Sequence, residues 1–322
     1  MNWITQKVLK KLRKIHSRRY PESHAVSLPK VDYLKQEAND QIRALLAEKR
    51  CCMISRLGGT ETPVMVSYLD ITDHRPFLTK SVDYIRGKRN RFWWDPKVKS
   101  DICHFSGFFP ATDDMLTRYS IEILAKLKQI DLLGSWLRDE HRLANYFSPS
   151  LIRVDLDDLE PYFFDRPWSE LLAGKKVLVV HPFEESIQKQ YAKRELLFKD
   201  PRVLPAFELK TLKAVQSLVG NQVEFGDWFS ALDWMCRKIG GIDFDVAIIG
   251  AGAYGIPLAA HVKKLGKQAI HLGAATQLLF GIRGKRWEDF PAWSHLFNEH
   301  WTRALPHETP ANFRMLERGA YW

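Results

Sequence analysis

The runs Val177-Leu178-Val179-Val180 and Val246-Ala247-Ile248-Ile249 are apolar at every position over a strand's length. A strand with one wet face alternates apolar and polar residues. A strand apolar throughout is covered on both faces, the habit of parallel sheets with helices on each side. Each run leads through turn residues into a helical pattern: His181-Pro182 precedes 184–198, and 250–255 precedes 256–265. Further strands are expected at 51–56, 130–136, 207–212 and 267–272. Further helices are expected at 32–49, 63–69, 113–129 and 227–239. This alternation predicts an α/β fold with a doubly wound, mainly parallel, Rossmann-like sheet. The 322 residues hold no internal repeat and no low-complexity linker. They read as one domain over 30–322, preceded by a basic arm over 1–29. The segment 75–109 is irregular, basic and aromatic, and reads as a functional loop region.

The arm carries Lys7, Lys10, Lys11, Arg13, Lys14, Arg18 and Arg19, while Trp3, Ile4, Val8, Leu12 and Ile15 fall near one helical face. Such a helix either lies on an anionic membrane surface or docks on the domain by its apolar stripe. It has neither the apolar core nor the cleavage site of a signal peptide. No stretch is apolar for the roughly 18 residues that a spanning helix needs. The formal charge of +10 suits an anionic partner. No zinc-finger spacing, RNP pattern or helix-turn-helix accompanies it, so nucleic acid is not the expected partner. The four cysteines form no CxxC pair and sit among apolar neighbours. They read as reduced thiols, and the expected location is the cytoplasm.

Gly250, Gly252 and Gly255 match G-x-G-x-x-G between a strand and a helix, the context in which glycines let backbone amides approach a phosphate at a helix N-terminus. A dinucleotide site also wants an acid at the end of the next strand, and here that strand ends Ile270-His271-Leu272. The alternative role of the glycines is tight strand–helix packing. Three further polar turns follow strands. Arg283, Lys285 and Arg286 form a basic cluster that fits the same anion as the glycine turn. Arg56, Gly58, Gly59, Thr60 and Glu61 follow the first strand, with Glu61 a candidate metal ligand or base and Thr60 a candidate N-cap. His181 and Glu184 follow the strand at 176–181 and are candidates for proton transfer. Tyr254 lies inside the glycine turn. Loops beyond the C-terminal ends of parallel strands face one crevice, so these turns are expected to meet. G-x-S-x-G, Walker A, HExxH and EF-hand patterns are absent.

The segment Ile54-Ser55-Arg56-Leu57-Gly58-Gly59-Thr60-Glu61 resembles the R-[FY]-G-D-G-E segment of bacterial GT-D-type glycosyltransferases. The unit from Asp245 through Gly255 to Gly273 is similar to their closing strand–glycine turn–helix–strand. The segment 250–287 also resembles proteins of polysaccharide gene clusters. The likeness rests on the two ends of the domain and does not extend over 75–173. It implies a single α/β domain that moves a sugar from a nucleotide-sugar donor to a lipid-linked or surface-glycan acceptor. It further implies that Glu61 belongs to a donor- and metal-binding Asp-x-Glu pair. Only the Glu carries over, because the Asp position is Gly59 here. A divalent ion, Mn or Mg, would then need donor phosphates to complete its shell.

Three functions stay open on the sequence. In the first, a glycosyltransferase, Glu61, His181 and Glu184 act at the reacting centre. Arg56, Gly58, Gly59, Thr60, Gly250, Gly252, Tyr254, Gly255, Arg283, Lys285 and Arg286 hold the donor. The others are an NAD(P)- or flavin-dependent oxidoreductase and a non-catalytic polyanion-binding assembly protein.

Overall fold

The computed structural model describes every residue except Val26 and Glu317. Seven parallel strands form one sheet: β1 (Cys52–Arg56), β2 (Leu132–Ser135), β3 (Ile152–Asp155), β4 (Lys176–His181), β5 (Glu208–Lys213), β6 (Val246–Ile249) and β7 (Gln268–His271). Their spatial order is β3-β2-β1-β7-β6-β4-β5. The apolar runs do what their composition demands. Leu178, Val180, Ala247 and Ile249 point into one core, while Val177, Val179, Val246 and Ile248 point into the other. The sheet is therefore covered on both faces, and the doubly wound α/β architecture is as expected.

One face carries α3 (Glu61–Thr72), α5 (Pro96–Ser106), α6 (Asp113–Leu127), α8 (Trp228–Gly240) and α9 (Gly255–Lys264). The other carries α2 (Lys35–Ala47), α7 (Glu184–Tyr191) and α10 (Thr276–Leu279). Short α11 (Lys285–Glu288) and α12 (Pro291–Ser294) follow. The chain leaves β1 towards α3 and β7 towards α10, on opposite faces. It also leaves β6 towards α9 and its neighbour β4 towards α7. Adjacent strands whose chains part in this way open a crevice at their C-terminal ends, and the run β1-β7-β6-β4 has it at each of its three junctions.

The segment 75–109 is not a loop. It contains α4 (Phe77–Ile85) and α5. Asp95 caps α5 by accepting from Lys97 N, Pro96 occupies the first turn, and Gly107 ends the helix at φ 74°. Buried Arg89 ties the segment down by donating to Asp70 at 2.9 Å and Asp73 at 2.8 Å. The rings of Tyr84, Phe92 and Trp93 form a small core of their own with Leu9. Leu9 belongs to α1 (Trp3–Arg19), which packs on α4. β3 is a strand that the sequence pattern does not announce. All four cysteines are free thiols, and burial pushes Cys52 up to about 12. No helix among the described residues is long and apolar enough to cross a membrane.

Candidate functional site

A cavity of about 440 Å³ occupies the crevice. Every strand delivers a residue to it from its C-terminal end: Arg56 from β1, Trp136 after β2, Asp157 and Glu160 after β3, His181 from β4, Gln216 after β5, Gly250 after β6, and His271 from β7. Trp287, Phe290, Trp293, Tyr321 and Trp322, from the C-terminal segment, close one side. Residues of all four turns that the sequence marks thus meet in one site, as loops beyond parallel strands must.

The first turn is shaped around Glu61. An added Cβ on Gly58 would stand 1.7 Å from the Glu61 carboxylate, so only glycine leaves room for that carboxylate. Thr60 donates its hydroxyl to Glu61 at 2.9 Å and lies against the Ser106 hydroxyl. Thr60 does not cap α3 through its side chain; its backbone is already helical there. An added Cβ on Gly59 would come within 3.2 Å of the Trp136 ring, which Trp136 Nε1 fixes by donating to Leu57 O at 2.9 Å. The indole thus crowds the place where the resembled family has its Asp.

Arg56 lies over the Trp136 ring at 5.1 Å and beside Gly273. Its guanidinium makes no ion pair within 4.0 Å among the described residues. Burial lowers its pKa, and the Glu61 charge opposes that shift. Arg286 stands on the same wall, 4.9 Å from the Tyr321 ring centre.

Two buried imidazoles face the cavity. His181 Nδ1 accepts from Phe183 N at 3.0 Å, which leaves its proton on Nε2. Burial brings its pKa down to about 3, so the ring is neutral. His271 Nδ1 meets Ser55 Oγ at 3.0 Å, and burial, with the charge of Arg56, brings it down to about 3.

The glycine turn has the expected strand–turn–helix form, but its glycines face protein groups. A Cβ on Gly250 would meet His181, Gly273 O and Thr276 within 2.8 Å. One on Gly252 would meet Ser106 O at 2.8 Å, and one on Gly255 would meet His271 Nε2 at 2.0 Å. The Gly250 amide is spent in the ladder on Val180 O at 2.9 Å, and the Tyr254 amide on Ala251 O. The motif serves close packing first. Gly250 and Gly252 still form part of the cavity wall; Gly255 does not. Tyr254 is a core residue, stacked on Trp228 at 5.0 Å.

Four more expected residues stand outside the wall, Gly58 among them, beneath the Glu61 carboxylate. Glu184 accepts from Thr211 Oγ1 at 2.8 Å at the start of α7. Lys285 is exposed, and Arg283 is bound into the C-terminal segment through its backbone amide to Thr302 O.

Glu160 and Asp157 are residues that sequence reasoning missed. Glu160 is 7% exposed, lines the cavity, and accepts from Trp293 Nε1 at 2.7 Å and from the Tyr162 hydroxyl. Both donors are neutral. Burial pushes its carboxyl up to about 7 against the pull of those hydrogen bonds. Burial raises Asp157 as well. The available signal was a cluster of acids, Asp155, Asp157, Asp158 and Glu160, in one short segment.

No group of three His, Cys, Asp or Glu side chains among the described residues comes together as a metal shell. Glu61 has a hydroxyl and an aromatic wall beside it, not further carboxylates. These residues do not fit a resident divalent ion. A comparison with models of protein families, with curated proteins and with solved structures finds no match to this chain.

Proposed function

We propose that the chain is a glycosyltransferase of the GT-D type that moves a sugar from a nucleoside-diphosphate donor to a hydroxyl of a lipid-linked or surface-glycan acceptor. The observation that carries this reading is the Arg56 guanidinium, walled in at the mouth of the crevice between β1 and β7 with no carboxylate in ion-pair reach among the described residues. Arg56 is partly buried, and a cation drawn out of water in this way gains when an anion joins it. Arg56, with Arg286 on the same wall, is suited to a diphosphate, since guanidinium binds phosphate bidentately. The aromatic side of the cavity fits the faces of a sugar or base.

In this reading the acceptor oxygen bonds the anomeric carbon as the bond from that carbon to the diphosphate breaks. The electron pair leaves on the diphosphate, where Arg56 stabilises it. The acceptor proton passes to Glu160, a carboxylate with no cation beside it. His181 Nε2–H donates to a sugar hydroxyl, and Glu61 orients the acceptor. No step uses a metal. The diphosphate rests on the arginines and not on the glycine turn, whose room is taken. No observation favours the oxidoreductase: β7 ends in His271 with no acid to hold a ribose. The acceptor places the protein at the inner face of a membrane.

The test is release of nucleoside diphosphate from a panel of nucleotide sugars, with and without Mn or Mg. Turnover of one donor that persists in chelator supports the reading. No turnover of any donor, with reduction of a nicotinamide cofactor instead, overturns it.

A further inference from the structure

The apolar face of α1 is left over by the fold. The helix is anchored by other residues: Leu9 in the small core with Tyr84, Phe92 and Trp93, Arg13 donating to Tyr84 O at 2.7 Å and Arg89 O at 2.6 Å, and Lys10 paired with Asp95 at 2.6 Å. Ile4, Val8, Leu12 and Ile15, spaced by four, four and three residues, stay 66%, 51%, 42% and 54% exposed. That spacing is one continuous helical stripe. The docking of α1 by its apolar stripe, one of the two arrangements read from the sequence, is therefore not what holds the helix. A surface stripe of aliphatic side chains is unfavourable in water and calls for a cover.

The charge around it says what the cover is. α1 contains no acidic residue. Lys7, Lys11, Lys14 and Arg18 follow the stripe along its length, and none of them forms an ion pair among the described residues. On the docked side the helix borders a second cavity of about 530 Å³, whose walls include Lys10, Arg13, Lys14 and Arg91. Asp139 is the one acid in those walls, and it accepts from Asn90. An apolar stripe flanked along its length by a row of cations matches a surface that is apolar inside and anionic at its rim.

We propose that α1 seats the protein on an anionic lipid bilayer. The stripe Ile4–Val8–Leu12–Ile15 enters the acyl boundary, and Lys7, Lys11, Lys14 and Arg18 beside it hold the lipid phosphates. This surface is separate from the crevice.

The test is co-sedimentation of the full chain with vesicles of phosphatidylcholine, with and without phosphatidylglycerol. The expected result is binding to the anionic vesicles alone, lost in molar salt. The paired change Val8→Ser with Leu12→Ser weakens that binding on the order of ten-fold or more at an unchanged melting temperature, since both residues are exposed. Lys7→Glu with Lys11→Glu weakens it similarly. Failure of the wild-type chain to bind anionic vesicles overturns the proposal, as does a serine pair that binds as well as wild type. A wild-type dimer that the serine pair splits, with no vesicle binding, makes the stripe a contact between copies and also overturns it. Inorganic phosphate that raises the melting temperature of a chain blind to vesicles makes the cleft a site for a soluble anion, with the same consequence.

Discussion

Single atoms decide much of the crevice. Gly58 exists so that the Glu61 carboxylate can lie over it, at a place where any Cβ would overlap. Gly58→Ala is expected to displace that carboxylate and cut turnover about ten-fold or more, the scale of a misplaced positioning group. The melting temperature falls little in comparison, which activity and thermal unfolding measured together will show. Glu160 gives a pH signature. As the base it must be ionised, so turnover rises with pH until about 7 and then levels, and Glu160→Gln removes that rise. Its folded pKa is raised, so its contribution to stability is complete below the ordinary carboxylate range and is lost as pH climbs to about 7. The two imidazoles act in the opposite sense. Their folded pKa values are depressed to about 3, so stability is lost as pH falls below the ordinary value near 6.5. His181→Asn, which keeps an acceptor for Phe183 N, is expected to flatten the acid limb of the unfolding free energy between pH 6 and 4, by up to ~1.4 kcal/mol per pH unit, as denaturant titrations at each pH will show. An unchanged limb would show that His181 titrates normally.

At the scale of elements, Asp95 joins two helices. It caps α5 and pairs with Lys10 of α1. Asp95→Ala is expected to cost about 1 kcal/mol through the cap, with little from the half-exposed Lys10 pair. Limited proteolysis should then cut α1 and the α4–α5 region faster than the sheet. Equal rates in both chains would remove this joint role. The Asp95-Pro96 start and the Gly107 stop were both written in the sequence, yet crowding by Arg and Trp between Arg86 and Trp94 disguised the helices as a loop. What the aromatics supply is a small core that only exists once α1 lies across it. β4 and β6 were legible because an apolar run needs no partner to be recognised. β3 was not, because its Arg153 and Asp155 belong to an edge strand, whose outer positions obey no burial rule. The acids beyond it, with Glu160, were lost along with it. The crevice was legible as a set of turns after strands. The use of each glycine was not, since the groups opposite them come from distant parts of the chain.

For the whole molecule, the sheet brings its C-terminal ends together at one crevice, and α1 lies apart from it with most of the net charge of +10. Both places present cations, one within a walled cavity and one on an open surface. The central claim is that the walled one holds a diphosphate through Arg56. The most direct measurement is calorimetric titration of UDP, GDP, CMP, dTDP, NAD and NADP into the wild-type chain and into Arg56→Gln, each in chelator. The account predicts that one nucleoside diphosphate binds the wild-type chain and that Arg56→Gln weakens it by at least about ten-fold, the worth of a charge-assisted phosphate contact. Binding of NAD or NADP alone, or a nucleoside diphosphate held equally well by both chains, would contradict it.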